Sequence, residues 1–592
     1  MIRRTRPALH HASRTVLMLG CLAGLWACGE APPGMASSAL LITLDTTRAD
    51  ALSCYGAAFG VTPALDRLAA EGVRFEAAYA AAPLTLPSHA SMLTGLYPPR
   101  HTLRNNGMGA LPAAADSLAE LARASGRQTA AFIGAVVLDQ AFGLDQGFDT
   151  YDTPFRTVHR DTVDYTERPG AAVMDAALAW FGKRDKARPF FLWVHLFDPH
   201  GPHQPPPGFR NHGSDYLGEV AAADHEVGRL IDALRADGAL ESTTVLVVGD
   251  HGEGLGDHGE VSHGTYCYDT TMRVPMILRR SDGKRSGERE TGITSVVDVY
   301  PTLMEAMGLS PSPGIDGISL LHDEIPAGRG VYFESYYGYL SYGWSPITGW
   351  VDADGKYLHS SEPEFYDLAG DPTESRNLAL ERADLVERSQ KAILSLAGES
   401  AIPREADPEM DPELLAQISR LGYTAGSKGE GDLPGLLFGS DLPSPRRMAA
   451  EDHEFRLAQQ KLARGEELPQ AEESLRAILA ANPRHFEARD VLGRCLMLQN
   501  RHQEALAILR TVVDEGPPWP QTHLNIAICL IKLGRPEEAI APLRHALEID
   551  SRDAQSLGNL VFTLESLGRH AEAAPYRQRF LEQTGKPLPA RR

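Results

Sequence analysis

Three aspartates close apolar runs in this chain: Asp45 after ALLITL, Asp198 after PFFLWVHLF and Asp250 after TTVLVVG. Continuous apolar runs of this length read as buried strands of a parallel sheet. In open α/β sheets the ligand crevice lies beyond the carboxyl ends of such strands, so the three carboxylates are expected at one site. Imidazoles accompany them. His251 follows Asp250, His200 and His203 follow Asp198, and His263 lies in SHGTYCYD. Carboxylate oxygens and imidazole nitrogens together are donors for divalent cations, zinc above all. A hydroxyl stands ready to use such a cation: Thr85, in PLTLPSHASMLTG, sits where Pro87 marks the start of a helix. Helix N-termini attract anions, so an anionic ester would dock beside it. A free hydroxyl is too weak an acid to attack at neutral pH, and a metal or a base must activate it.

The elements that must position these groups occupy roughly two thirds of the chain. From Ser38 to about Tyr423, strand-like runs alternate with helical stretches and Gly/Pro-rich turns, the signature of an α/β layer. At 592 residues the chain is too long for one core. Its net charge of −21 argues against nucleic-acid binding, which needs a basic surface. The N-terminus is basic at Arg3, Arg4, Arg6 and Arg14 and apolar from Val16 to Ala27, which reads as a signal peptide. The run is too short for a spanning helix, for which about 18 or more apolar residues are needed. Leu25-Trp26-Ala27-Cys28 resembles a bacterial lipobox, so residues 1–27 are expected to be removed, Cys28 to carry lipid, and residues 28–38 to form a tether; plain secretion is the alternative. The expected location is the periplasm or outer membrane, with the membrane reached through Cys28.

Residues 426–449 have linker composition, and beyond them comes a repeat. Ala471, Ala505, Ala539 and Ala573 recur every 34 residues, with Leu475, Leu509 and Leu543 four residues later and Pro483 and Pro517 at the unit ends. That is the tetratricopeptide period, and residues 450–585 are expected to form an all-α repeat domain presenting a face to a protein or peptide partner. Cys495 and Cys529 fall on its helices and read as buried thiols.

Residues 83–107 resemble the nucleophile segment of sulfatases, which belong to the alkaline phosphatase superfamily. Pro87, Ser88, Ala90, Ser91, Leu93, Thr94 and Gly95 keep the sulfatase frame, but Thr85 replaces the Cys or Ser that is oxidised to formylglycine, and His89 replaces an arginine. A threonine could not give that aldehyde. The segment is more similar to the nucleotide pyrophosphatase/phosphodiesterase branch, matched by Thr85, Pro87, His89, Thr94 to Pro98, His101 and Asn106. The resemblance implies Thr85 as nucleophile and Asn106 as a donor to a substrate oxygen. VVGDHGEGLGDHG resembles the superfamily metal motif, which implies Asp250 and His251 as ligands, and Asp45 matches the first aspartate of the N-terminal motif, whose second aspartate is here Thr46. His263 stands where sulfatases usually have lysine. The implied sites are Asp45, Thr85, Asp250 and His251 for one cation and Asp198, His200 and His263 for a second, zinc in both, with calcium or manganese the alternatives. His203 and His258 are further candidates for substrate contact or ligation. The phrases around Asp298 and Asp316 also resemble the family, as loop and helix-cap residues. The implied fold over 39–425 is a mostly parallel sheet between helices, with a small C-terminal α+β subdomain. The leading expectation is hydrolysis of a small anionic phosphate ester, a diester or phosphonate-like monoester, through a threonyl-phosphate. Sulfuric ester hydrolysis is the second, transfer of an envelope phospho-head-group the third, and an inactive binding scaffold the fourth.

Overall fold

The computed structural model describes residues 37–403 apart from 58–59 and 161–162, residues 433–588 apart from 440, 517–518, 552 and 585–586, and Leu414, Gln417 and Ile418. The expected signal peptide, Cys28 and most of the tether lie outside the described residues. Among the described residues no helix is long and apolar enough to cross a membrane.

The strands run β1 (Ser38–Leu44), β2 (Val73–Tyr79), β3 (Gln128–Phe132), β4 (Thr150–Asp152), the hairpin β5 (Arg156–Arg160) and β6 (Val163–Glu167), β7 (Phe190–Leu196), β8 (Thr243–Gly249), β9 (Arg273–Arg279), β10 (Glu288–Glu290) and β11 (Thr294–Ser295). Nine of them form one sheet in the order β10-β2-β9-β8-β1-β7-β3-β4, with β11 also on β2. Pairing is parallel except for β9, which runs against both β2 and β8. β1, β7 and β8 are buried along their whole length, as their uninterrupted Leu, Ile, Val and Phe demand.

Helices cover both faces: α1 (Pro63–Glu71), α2 (Thr85–Thr94), α3 (Pro98–His101), α4 (Leu118–Ala124), α5 (Gly170–Lys183), α6 (Asp215–Asp237), α7 (Asp269–Met272) and α8 (Val299–Ala306). One core gathers Leu41, Trp193, Leu246 and Met276 with α2 and α8; the other gathers Leu40, Ile42, Val194 and Val247 with α1, α5 and α6. The alternation of neighbours between two cores is the period-two geometry of a strand. A short helix, α9 (Tyr337–Tyr342), lies between the strands of a four-stranded antiparallel sheet, β12 (Val331–Ser335), β13 (Ile347–Asp352), β14 (Gly355–His359) and β15 (Glu364–Tyr366), on which α10 (Ala383–Ala397) packs.

The repeats follow. Their entry helix α11 (Pro445–Arg464) begins inside the stretch whose composition reads as linker, because Ser444-Pro445 offers a helix start and Phe455, Ala458 and Leu462 give it an apolar face. α12 (Leu468–Ala481), α14 (His502–Glu515), α16 (Pro536–Ile549) and α18 (His570–Thr584) start 34 residues apart, as do α13 (Phe486–Leu498), α15 (Pro520–Lys532) and α17 (Ala554–Ser566). Ala471, Ala505, Ala539 and Ala573 are all buried where paired helices touch, and a Cβ on Gly493 would stand 2.4 Å from Leu509 Cδ2. Cys495 and Cys529 are buried free thiols.

Leu509 is fully buried at the centre of this stack. Leu509→Ala is expected to destabilise the repeats by about 2–5 kcal/mol through lost burial and a residual cavity, read as a lowered denaturant midpoint for the repeat helices.

Candidate active site

β1 lies between β7 and β8, with Leu44 opposite both Leu196 and Gly249. Asp45 and Asp250 are the first residues beyond β1 and β8, so equal strand lengths bring their carboxylates to one point above the sheet. Both are fully buried. His251 joins them, the three offering ligand atoms within 4.8 Å of one another. Its Nδ1 donates to Gly252 O at 3.0 Å, which leaves the Nε2 edge toward the site, 3.7 Å from Asp250 Oδ2 and 4.0 Å from Asp45 Oδ1.

Thr85 opens α2 and puts its Oγ1 3.4 Å from His251 Nε2. The start of α2 is tied down from several sides. Ser88 Oγ donates to Asp250 O at 2.7 Å, His89 Nδ1 donates to Thr85 O at 2.8 Å, and Leu86 N donates to Asn106 Oδ1 at 2.9 Å. Asn106 is fully buried, and its Nδ2 has no hydrogen-bond partner. A buried amide without a partner is costly, so a donor left over beside the Thr85 turn points to a ligand oxygen. Thr46 stands in the left-handed region at φ 45°, strained for a β-branched residue, and its N–H reaches Asp250 Oδ1 at 3.2 Å.

The residues present fit a divalent cation. Both oxygens of Asp45 and Oδ2 of Asp250 are buried without a hydrogen-bond partner. Burial pushes the Asp45 carboxyl up to about 8, against the pull of His263, and burial together with Asp45 holds Asp250 well above the usual carboxylate range. Burial and His263 keep His251 well below the ordinary imidazole value, the neutral form a metal requires.

Asp198 is not in this cluster. β7 stops at Leu196, so Asp198 falls in the following loop and turns to the start of α5, where Oδ1 accepts from Gly170 N at 3.1 Å. Gly170 is required there, since a Cβ would stand 2.1 Å from Asp198 Oδ2. The expectation that Asp198 joins His200 and His263 as a ligand is corrected accordingly: the third strand tip delivers His195 instead. Its Nε2 lies 3.2 Å from Asp45 Oδ2, off the line of a hydrogen bond. Trp193 Nε1 donates to Thr43 Oγ1 at 3.0 Å, and that hydroxyl donates to His195 Nδ1 at 2.9 Å, which fixes the ring. His195 and His89 meet edge to face with ring centres 4.7 Å apart. A single histidine inside PFFLWVHLF was the available signal for this residue.

A second imidazole group flanks the first. His263 stands 4.6 Å from His251 and 5.0 Å from His200, centre to centre. His263 Nδ1 is 3.2 Å from Glu253 Oε1, and both side chains are buried. Burial alone would pull His263 down, but Glu253 outweighs it and raises it, while His263 in turn brings Glu253 below its ordinary value. The pair is thus a histidine whose protonated form is favoured by the carboxylate it faces. His200 stacks on Phe197, its Nδ1 donates to Gly201 O, and burial lowers it to about 3. His203 is held by Glu219 at 2.9 Å, and His258 stacks on Tyr268 at the rim. Asp298 closes a capping box with Ser295 and pairs with Arg329; Asp316 accepts from Tyr97 N and Arg100. Both stand among structural contacts.

Residues 37–309 match the sulfatase family model. This stretch is a sulfatase-family domain. Residues 455–520 match the tetratricopeptide repeat, and residues 495–590 also match the coatomer epsilon subunit. The sulfatase-family domain is similar to an arylsulfatase of Clostridium perfringens, 26% identical over 58% of this chain and 90% of that protein. It is also similar to an N-acetylglucosamine-6-O-sulfatase of Bacteroides thetaiotaomicron, 23% identical over 64% of this chain and 89% of that one. In fold it is similar to the phosphonate monoester hydrolase of Agrobacterium radiobacter, with a TM-score of 0.53 and 22% identity over 61% of this chain and 95% of that one. Set in this frame, the triad is the metal centre of a hydrolase that acts on ester bonds.

The buried carboxylates set a pH dependence. Without a cation the folded protein holds protons on Asp45 and Asp250 that the unfolded chain releases near pH 4. Wherever the native state binds more protons, stability falls as pH rises. Metal-free protein is expected to lose melting temperature from about pH 5 to about pH 8, while the metal-loaded form, whose cation displaces those protons, does not. The gap between chelated and loaded samples should widen with pH in a thermal scan.

Proposed function

We propose that this protein is a metal-dependent hydrolase of sulfuric esters that attacks with Thr85 directly. The carrying observation is the Thr85 hydroxyl at a helix start, 3.4 Å from His251 and beside two buried carboxylates, three of whose four oxygens have no hydrogen-bond partner. Similarity to named sulfatases supports the sulfuric ester.

Asp45, Asp250 and His251 would hold the cation, which lowers the pKa of the Thr85 hydroxyl and offsets charge on the transferring group. Thr85 gives its proton to solvent, its Oγ1 bonds to sulfur, and the bond from sulfur to the alcohol oxygen breaks in line. The departing oxygen takes a proton from His263, held charged by Glu253. Asn106 Nδ2 donates to a non-bridging oxygen, a contact that gains as charge builds there. Water then attacks the sulfur and passes a proton to His263, and Thr85 leaves with a proton from solvent. Sulfate is released and both side chains return to their starting states.

A second reading is a phosphorus centre, as in diesters or phosphonate esters. Thr85 favours it, since a threonyl ester of phosphate hydrolyses by attack at phosphorus without the aldehyde chemistry of formylglycine. Zinc is the proposed cation. A second one, on His200 and His263, would lack Asp198, so one equivalent per chain is expected on elemental analysis, and two would restore the two-metal arrangement. Export, with attachment through Cys28, belongs to the same proposal and is supported by the basic and apolar N-terminal sequence.

Thr85→Ala is expected to lower kcat by about 10³-fold or more on 4-nitrophenyl sulfate and on a 4-nitrophenyl phosphonate ester, with the metal retained; Thr85→Ser should keep activity. Full activity of Thr85→Ala would overturn direct attack. The ratio of kcat/KM for the two esters decides between sulfur and phosphorus.

A further inference from the structure

Three side chains on the face of the sheet that α2 covers form a relay that ends at Asp45. Trp193 and His195 stand two residues apart on β7 and so point the same way, and in the parallel register Thr43 of β1 faces His195 as Leu41 faces Trp193. All three are fully buried. Phe148 and Tyr151 pack on the Trp193 ring, with centres 6.0 and 6.3 Å from it, and hold it in place.

The relay fixes where its hydrogens lie. An indole nitrogen can only donate, so Thr43 Oγ1 accepts from Trp193 Nε1 at 3.0 Å. The hydroxyl hydrogen of Thr43 is left for its other neighbour, and His195 Nδ1 accepts it at 2.9 Å. An imidazole whose Nδ1 accepts carries its hydrogen on Nε2. That Nε2 is buried without a hydrogen-bond partner, and 3.2 Å from it lies Asp45 Oδ2, which has none either. A donor and an acceptor, both orphaned in the interior, thus stand side by side. They are off the line of a bond only in angle, and a turn of the carboxylate about its Cβ–Cγ bond corrects that. The other oxygen, Oδ1, faces His251 Nε2 at 4.0 Å.

This division of the carboxylate bears on the choice of cation. Calcium gathers about six to eight oxygen ligands and often takes both oxygens of one carboxylate, whereas zinc is satisfied by about four donors, imidazole nitrogen among them. A carboxylate that has given one oxygen to a histidine suits zinc. His195 itself is no ligand in this state, because its Nε2 carries the hydrogen.

We propose that His195 is a positioning residue that donates its Nε2–H to Asp45 Oδ2, leaves Oδ1 alone to the cation and so biases the centre towards zinc over calcium. This rests on the metal-dependent hydrolase reading above. The full chain, isotope-labelled at its imidazole nitrogens and loaded with zinc, is read by NMR, the His195 signals being those missing from both His195→Phe and His195→Gln. A hydrogen on Nε2 and none on Nδ1 is expected; a zinc-bound or hydrogen-free Nε2 overturns the proposal. Dissociation constants for zinc and for calcium are then measured by chelator competition. His195→Phe keeps a ring but has no donor, and it is expected to weaken zinc by about 10- to 100-fold and calcium by less. His195→Gln packs less like a ring but brings an amide hydrogen near the place of Nε2, and it should keep most of the zinc affinity. The reverse order of the two variants, or an equal loss of both metals, would assign His195 to packing and overturn the proposal. An unsubstituted chain that retains no cation at all would instead count against the hydrolase reading.

Discussion

Two carboxylates of like charge, Asp45 and Asp250, share one fully buried point, and among the described residues the side chains paired with them are histidines. Charge of that density cannot persist in a low-dielectric interior without a counter-ion or bound protons. The surroundings are organised around that constraint. His251, His89 and His195 face the pair as neutral rings, each lowered by burial and each fixed through its Nδ1. The strained Thr46 turn and the Ser88 hydroxyl lock the backbone on either side. The first half-turn of α2 then presents Thr85 against this centre.

The layered fold was legible in the sequence because its signals are local. Apolar runs without alternation mark strands covered on both faces, and β1, β7 and β8 are of that kind. The repeats were legible through one exact spacing, which a helix pair repeats because each pair must stack on the last in the same way. Asp45, Asp250, His251 and Thr85 are readable because each lies within two residues of a strand end or helix start. Asp198 was misplaced for the same reason in reverse. PFFLWVHLFD looks like a run closed by its aspartate, yet the strand ends two residues earlier, and a shift of that size moves a side chain from the crevice to a helix cap. His195 was hidden inside the run, where a lone histidine looks like a core residue. Glu253 follows a metal motif by two residues and carries no signal of its own in the sequence, since its part depends on the turn that brings His263 to it.

Sulfatase-family similarity and Thr85 pull the chemistry in different directions, and the geometry says where they meet. The fold, the triad and the position of His200 suit any ester of a tetrahedral oxyanion. What separates this chain from the sulfatase pattern its sequence resembles is a threonine at position 85 and a histidine at position 263. Both changes keep the charge pattern of the site while altering how protons move through it, since a histidine on a carboxylate titrates within reach of neutral pH and a lysine does not.

Among the described residues the repeat array meets the catalytic domain mainly through its first helices, and α15 to α18 pack on their helical neighbours. Such an attachment makes the array extensible. Duplicating or deleting a 34-residue unit beyond α14 would lengthen or shorten the reach of the tail while leaving the residues around Tyr342 untouched, so a gene of this design can change what it tracks along without relearning its chemistry.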